Sequence, residues 1–119
     1  TIDAINFYRD WFGDNNERCI IAGDFNNSII WDKKNNANNF KNINDNLLSL
    51  GFVSNYHELE KEAFGKESSA TFFHTKKELK PYHIDYIYSK DLNPVELEVG
   101  SYSKWINFSD HSPLIVEYA

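Results

Sequence analysis

The stretch Cys19-Ile-Ile-Ala-Gly-Asp-Phe-Asn-Asn27 places a short apolar run directly before a carboxylate and two amides. A continuous apolar run bounded by polar segments is typical of a strand that is buried on both faces. We therefore predict a buried strand over residues 19–23. Asp24 and Asn26 follow at the point where this strand ends, so the sequence presents polar side chains at the rim of the predicted sheet.

Helical periodicity is present on both sides of this strand. Apolar residues at helical spacing predict an amphipathic helix over residues 2–13, and a second apolar stripe runs from Phe40 to Leu50, with Gly51 as its C-terminal cap. Segments rich in β-branched and aromatic residues predict further short strands at 52–53, 71–74, 83–89, 95–99 and 114–118. This order of elements indicates one layered α/β or α+β domain.

The composition fits a globular domain. The 119 residues are 41% hydrophobic, include nine Phe, seven Tyr and three Trp, and carry a formal charge of -6, which is too apolar a composition for a disordered chain. Cys19, the single cysteine, cannot form an intramolecular disulfide and fits a buried structural thiol. We expect no membrane span and a cytoplasmic location, because the sequence has neither a long apolar run nor a signal peptide.

The net negative charge bears on possible partners. Phosphate backbones favour proteins with an excess of Lys and Arg, so the acidic balance argues against a nonspecific nucleic-acid binder. An enzyme that holds phosphates through a metal ion stays compatible with this composition.

The segment His83-Ile-Asp-Tyr-Ile-Tyr88 places a carboxylate in the middle of a predicted strand. Alternation puts Ile84, Tyr86 and Tyr88 on one face of the strand. Asp85 lies on the opposite face beside apolar neighbours. A buried carboxylate is costly unless a cationic or hydrogen-bonding group meets it. Two interpretations are open at this point: Asp85 faces water on an edge strand, or it pairs with a group elsewhere in the chain.

A candidate partner lies in Ser109-Asp-His-Ser-Pro-Leu-Ile-Val116, where Asp110 and His111 precede an apolar strand. A carboxylate can hold a protonated histidine ring, and a protonated imidazole can bind a phosphoryl oxygen. An Asp85–His111 pair would therefore satisfy both side chains. The alternative is that Asp110 and His111 form only a polar turn before the strand.

Four segments together resemble the motifs of the C-terminal half of the endonuclease/exonuclease/phosphatase superfamily, which includes exonuclease III-like and DNase I-like phosphodiesterases. The segments are "GDFN" at 23–26, "SATFF" at 69–73, "HIDYIYS" at 83–89 and "SDHSPLIV" at 109–116. The resemblance implies that residues 1–119 are the C-terminal half of such a domain, folded as half of a two-sheet sandwich: one mixed β-sheet with flanking helices. An absent N-terminal half would leave an apolar face bare, so we expect that half, or self-association, to cover it.

The resemblance also implies roles for individual residues. Asp24 would activate or orient the attacking water, and Asn26 would lie beside the reacting phosphate. Asp85 would orient His111, which would contact the scissile phosphate. These four form the predicted catalytic set, and the predicted substrate-binding set is Asn26, Thr71 and His111.

The implied cofactor is Mg²⁺ or Mn²⁺, held by Asp24, Asn26 and Asp110, since hard oxygen ligands suit these ions. The implied activity is hydrolysis of phosphodiester bonds, most directly by a nuclease acting on nucleic acid. Alternatives are a phosphatase acting on phosphoinositides or small phosphoesters, and a noncatalytic interaction module with an incomplete metal site. Because the resemblance assigns a principal metal carboxylate to the absent half, we expect the 119 residues alone to be poorly active or inactive.

Several other residues have two interpretations. His57 and His74 either line a substrate cleft or are ordinary histidines of the core and surface. The lysines within residues 76–80 either hold a polyanion or form a solvated loop. Trp31 and Trp105 are either packing residues or platforms on which a base stacks.

Overall fold

The computed structural model describes residues 2–14 and 17–119, which form an α+β fold of short helices and antiparallel strands. The helices are α1 (Ile2–Phe7), α2 (Arg9–Asp14), α3 (Phe40–Ser49), α4 (Asn55–Glu60) and α5 (Tyr102–Trp105). The strands are β1 (Cys19–Asp24), β2 (Val53–Ser54), β3 (Phe72–Phe73), β4 (Pro81–Tyr82), β5 (Asp85–Lys90), β6 (Pro94–Val99) and β7 (Leu114–Tyr118). Two 3₁₀ turns lie at Ile29–Trp31 and His74–Lys76. None of the helices in the described ranges is long and apolar enough to cross a bilayer.

The strands form three antiparallel sheets. The central sheet has the order β1-β5-β2, and the pairs β3-β4 and β6-β7 form two smaller sheets. The prediction of a single mixed sheet is therefore wrong for the described residues. A parallel pair needs a crossover connection of about a dozen residues or more. The link between β3 and β4, residues 74–80, is shorter than that and favours antiparallel neighbours.

The main core lies between the helices and one face of β5. Tyr86 and Tyr88 point from β5 toward α3, as the alternation predicted, and the fully buried ring of Phe40 stacks on Tyr86 with 4.7 Å between centroids. The Tyr88 hydroxyl donates to Asn44 Oδ1 at 2.8 Å. Burial raises the pKa of Tyr88 well above the usual tyrosine value. These aromatic rings fix the position of β5 under the helical layer.

The two predicted helices differ in how closely the structure follows them. The segment predicted as one helix over residues 2–13 is divided into α1 and α2 at Tyr8, although Tyr8 N and Phe12 N still donate to carbonyls four residues earlier. The second helix ends as predicted. Gly51 has a φ of 90°, and the amide of Phe52 donates to Leu47 O at 3.0 Å, which is the Schellman geometry that favours glycine.

Strand β1 is not buried on both faces, contrary to the sequence prediction. Ile20 is 49% exposed and Ala22 is exposed, while Cys19 and Ile21 are only partly buried. The reason is that no layer of the described residues buries the face of β1 that carries Ile20 and Ala22. That face opens on an apolar groove of about 440 Å³, lined among others by Ala22, Ile87, Trp105, Phe108 and Leu114.

Helix α4 was not predicted, and it joins the central sheet to the β6-β7 sheet. Asn55 at its start is fully buried. Its Nδ2 donates to Ser89 Oγ at 2.7 Å, and its Oδ1 accepts from the Tyr118 hydroxyl. This one side chain therefore links β5, α4 and β7.

Phe40→Ala is expected to lower the free energy of unfolding by about 3–5 kcal/mol, because it leaves a cavity against Tyr86. Urea denaturation followed by circular dichroism measures the change. The matched control is Phe7→Ala, whose side chain is 80% exposed on α1 and whose loss should cost less than about 0.5 kcal/mol. Equal effects of the two substitutions would contradict the assigned core.

Candidate active site

Two carboxylates face each other where β1 and β5 run side by side. Asp24 and Asp85 are direct partners in the antiparallel register. Like charges at such positions destabilise a sheet unless another group lies between them. Here that group is His111: its Nδ1 lies 2.8 Å from Asp85 Oδ2, and its Nε2 lies 3.9 Å from Asp24 Oδ2. The predicted Asp85–His111 contact is confirmed, and the ring spans both carboxylates.

The segment that carries His111 is held by backbone hydrogen bonds to β3 and to Thr71, the residue before it. Phe73 N donates to Asp110 O, and Ser112 N donates to Thr71 O, each at 2.8 Å. These two bonds flank His111, which also forms an isolated β-bridge with Phe72. The position of the histidine is therefore set by strand pairing on both sides of it.

Thr71 holds two backbone segments of the site, and its role in substrate binding stays a prediction. It is fully buried. Its Oγ1 accepts from Ile84 N at 3.0 Å and from Asp85 N at 3.1 Å. Since its carbonyl also accepts from the segment that carries His111, Thr71 connects the backbones of both members of the Asp85–His111 pair.

Asp24 is presented by a tight turn. Gly23 before it has a φ of 146°, a value that L side chains rarely adopt, and Asn26 after it has a φ of 48°. The amide of Asn26 donates to Asp24 Oδ1 at 2.7 Å, which closes an Asx-turn. The turn leaves the Asp24 side chain 46% exposed and brings its Oδ2 near His111.

The residues predicted to hold a metal are only partly brought together. Within residues 2–14 and 17–119, the group of three potential ligands whose atoms lie within 4.8 Å of one another is Asp24, Asp85 and His111. Asp110 is not part of that group. Its backbone carbonyl accepts a hydrogen bond from Phe73 N, and its half-buried side chain belongs to the residue directly before His111 in the sequence. The exposed oxygen of Asp24 is a hard donor that fits a divalent cation, but the Asp85 oxygen is already bonded to His111.

The other histidines near the site have structural roles or are exposed. His57 lies between Ser54 Oγ at 2.7 Å and Glu67 Oε1 at 2.9 Å, and its side chain is 7% exposed, which favours a core histidine. His83 is buried and donates from Nδ1 to Ser69 O at 2.9 Å, and burial lowers its pKa. His74 is exposed on the 3₁₀ turn after β3.

Sequence reasoning missed one ring that touches the site. Phe72 packs against the imidazole of His111 with 4.9 Å between centroids. The signal was present in the sequence, because Phe72 follows Thr71 in the "SATFF" segment, but its contact depends on how β3 pairs with the segment before β7.

A scan against protein-family models finds no match to this chain, and a search of curated proteins also finds no significant match. The functional assignment therefore depends on the geometry of the site and on the resemblance of its four segments to the superfamily motifs.

Thr71→Val is expected to lower the free energy of unfolding by about 1–3 kcal/mol, since it leaves the buried amide of Ile84 and the partly buried amide of Asp85 without this acceptor. Amide hydrogen exchange should show faster exchange at Ile84 and Asp85. Thr71→Ser, which keeps the hydroxyl, is the matched control and should retain protection at both amides. Unchanged exchange in Thr71→Val would show that Thr71 does not hold Asp85.

Proposed function

We propose that this chain carries the aspartate–histidine part of a divalent-metal-dependent phosphodiesterase site, most directly that of a nuclease. The observation that carries the proposal is the placement of His111 between Asp85 and Asp24. Asp85 accepts from Nδ1 and orients the ring, which leaves Nε2 to act on a substrate. The order of the four motifs supports the same assignment.

The chemistry of phosphodiester hydrolysis matches these groups. The substrate is anionic, so attack by water requires both removal of a proton from the water and stabilisation of the charge on the phosphate. Asp24 is exposed and offers a carboxylate that accepts the proton as the water oxygen bonds to phosphorus. A protonated His111 donates a hydrogen bond from Nε2 to a phosphoryl oxygen, while the ester bond breaks and the leaving oxygen takes up a proton from solvent water.

A divalent cation, when bound, neutralises charge on the scissile phosphate. Asp24 and Asn26, which share one turn, are the residues that would hold it; Asp110, from the segment before β7, would have to join them from outside the group around Asp24. Mg²⁺ requires nearly octahedral oxygen coordination. These three side chains supply only part of that shell, so the proposal includes a further carboxylate from outside the 119 residues.

The test is metal-dependent cleavage of plasmid DNA, abasic-site DNA and RNA by the protein expressed at the full length of its gene. Activity is expected with Mg²⁺ or Mn²⁺ and not with EDTA. His111→Ala should lower the rate roughly 10²- to 10⁴-fold, the usual contribution of a positioned acid or base. Phe7→Ala, which removes an aromatic ring on α1 that is 80% exposed and lies outside the cluster, is the control and should leave the rate unchanged.

Two outcomes would contradict the proposal. The first is that no phosphodiester is cleaved by the full-length protein with either metal. The second is that His111→Ala cleaves as fast as the unmodified protein. The 119-residue chain, assayed in parallel, is expected to be poorly active; equal activity would show that the further carboxylate is not needed.

A further inference from the structure

A row of aromatic rings leads from His111 to the protein surface. Phe72 contacts His111, and Tyr82 lies beside Phe72 with 6.3 Å between ring centroids. Trp31 follows, 5.2 Å from Tyr82. Phe72 and Tyr82 are direct partners in the β3-β4 pair, so their rings share one face of that hairpin. We refer to Trp31, Tyr82 and Phe72 as the aromatic platform.

Trp31 is the exposed end of the platform, and its backbone is well anchored. Its side chain is 42% exposed although folding normally favours burial of an indole. Ser28 caps the 3₁₀ turn that carries Trp31, and the following Asp32 accepts from Phe40 N at 2.6 Å and from Lys41 N at 3.0 Å. A large apolar ring held on a fixed turn is suited to binding, because little conformational freedom is lost when a ligand covers it.

The surroundings of the platform supply groups that complement a nucleotide. A pocket of about 170 Å³ adjoins Tyr82; apolar and polar residues line it, and among them the hydroxyl of Ser69 can hydrogen-bond with the edge of a base. The loop of the β3-β4 hairpin carries three exposed lysines against one glutamate, in a chain whose net charge is -6. Those lysines are Lys76, Lys77 and Lys80. A local excess of positive charge on an acidic protein favours a polyanionic backbone.

We propose that the aromatic platform stacks an unpaired nucleobase of the strand whose phosphodiester lies at His111. This inference rests on the proposed function and narrows its substrate class to single-stranded or locally unpaired nucleic acid. The row of rings is continuous with the site, so a base attached near the reacting phosphate meets a ring face. Stacking is tolerant of base identity because every base has a planar face, whereas an inositol ring and small alkyl phosphoesters have none.

Binding measured without cleavage tests the inference. The full-length protein in EDTA is titrated against fluorescent oligothymidylate and against a strand of equal length whose sugars carry no bases, at one fixed salt concentration. The unmodified protein is expected to prefer the base-bearing strand. Trp31→Ala should weaken binding of oligothymidylate about 5- to 150-fold, the range that stacking of one base supports, and leave binding of the baseless strand unchanged.

Three further variants make the result specific. Trp31→Phe keeps a ring face and should retain most of the preference for bases. Trp31→Leu keeps apolar bulk without a ring face, and it replaces Trp31→Ala if thermal melting shows that the alanine variant is destabilised. Phe7→Ala removes an aromatic ring on α1 that is 80% exposed, more than the 42% of Trp31, and should alter neither affinity.

The inference is overturned if the unmodified protein binds both strands equally, or if Trp31→Ala weakens both alike. It is also overturned if a soluble inositol phosphate displaces the baseless strand and oligothymidylate with equal ease. Cleavage plays no part in the assay, so the two proposals fail separately. If the protein prefers bases through Trp31 but hydrolyses nothing, the base-stacking proposal is supported and the phosphodiesterase proposal is rejected. If the protein hydrolyses phosphodiesters with a metal but shows no such preference, the phosphodiesterase proposal is supported and the base-stacking proposal is rejected.

Discussion

The register between β1 and β5 is the constraint on which the candidate site depends. It places Asp24 directly opposite Asp85, and two carboxylates at such positions repel each other. A register shifted by one residue would remove the repulsion, but it would also turn Tyr86 and Tyr88 away from the helical layer that buries them. The aromatic core therefore fixes the register, and the register fixes the carboxylates.

The other residues of the site offset the repulsion between Asp24 and Asp85 and hold the two strands in place. His111 lies between the two carboxylates, and Thr71 holds the backbones of both Asp85 and the segment that carries the histidine. The imidazole is bonded to Asp85 at one nitrogen and lies 3.9 Å from the exposed carboxylate of Asp24 at the other. The proposal that the three residues hydrolyse an anionic ester depends on this arrangement of an oriented ring beside an exposed carboxylate.

The sequence predicted those features that depend on local patterns. The stripe of α3 with its glycine cap, the buried face of β5 and the strand Leu114–Tyr118 follow from periodicity and turn chemistry, and the Asp85–His111 pair follows from the cost of an unpaired carboxylate. Features that depend on tertiary packing against distant parts of the chain were missed. Exposure of Ile20 is set by the absence of a covering layer among the described residues, and burial of Asn55 is set by partners more than 30 residues away.

Nitrogen-15 NMR of the His111 ring in the metal-free protein tests the central claim most directly. We predict an Nδ1–H proton that exchanges slowly with water, because Asp85 accepts from it, and this resonance should disappear in Asp85→Ala and persist in Asp24→Ala. A ring protonated only at Nε2, or a spectrum that is the same with and without the Asp85 carboxylate, would contradict the account.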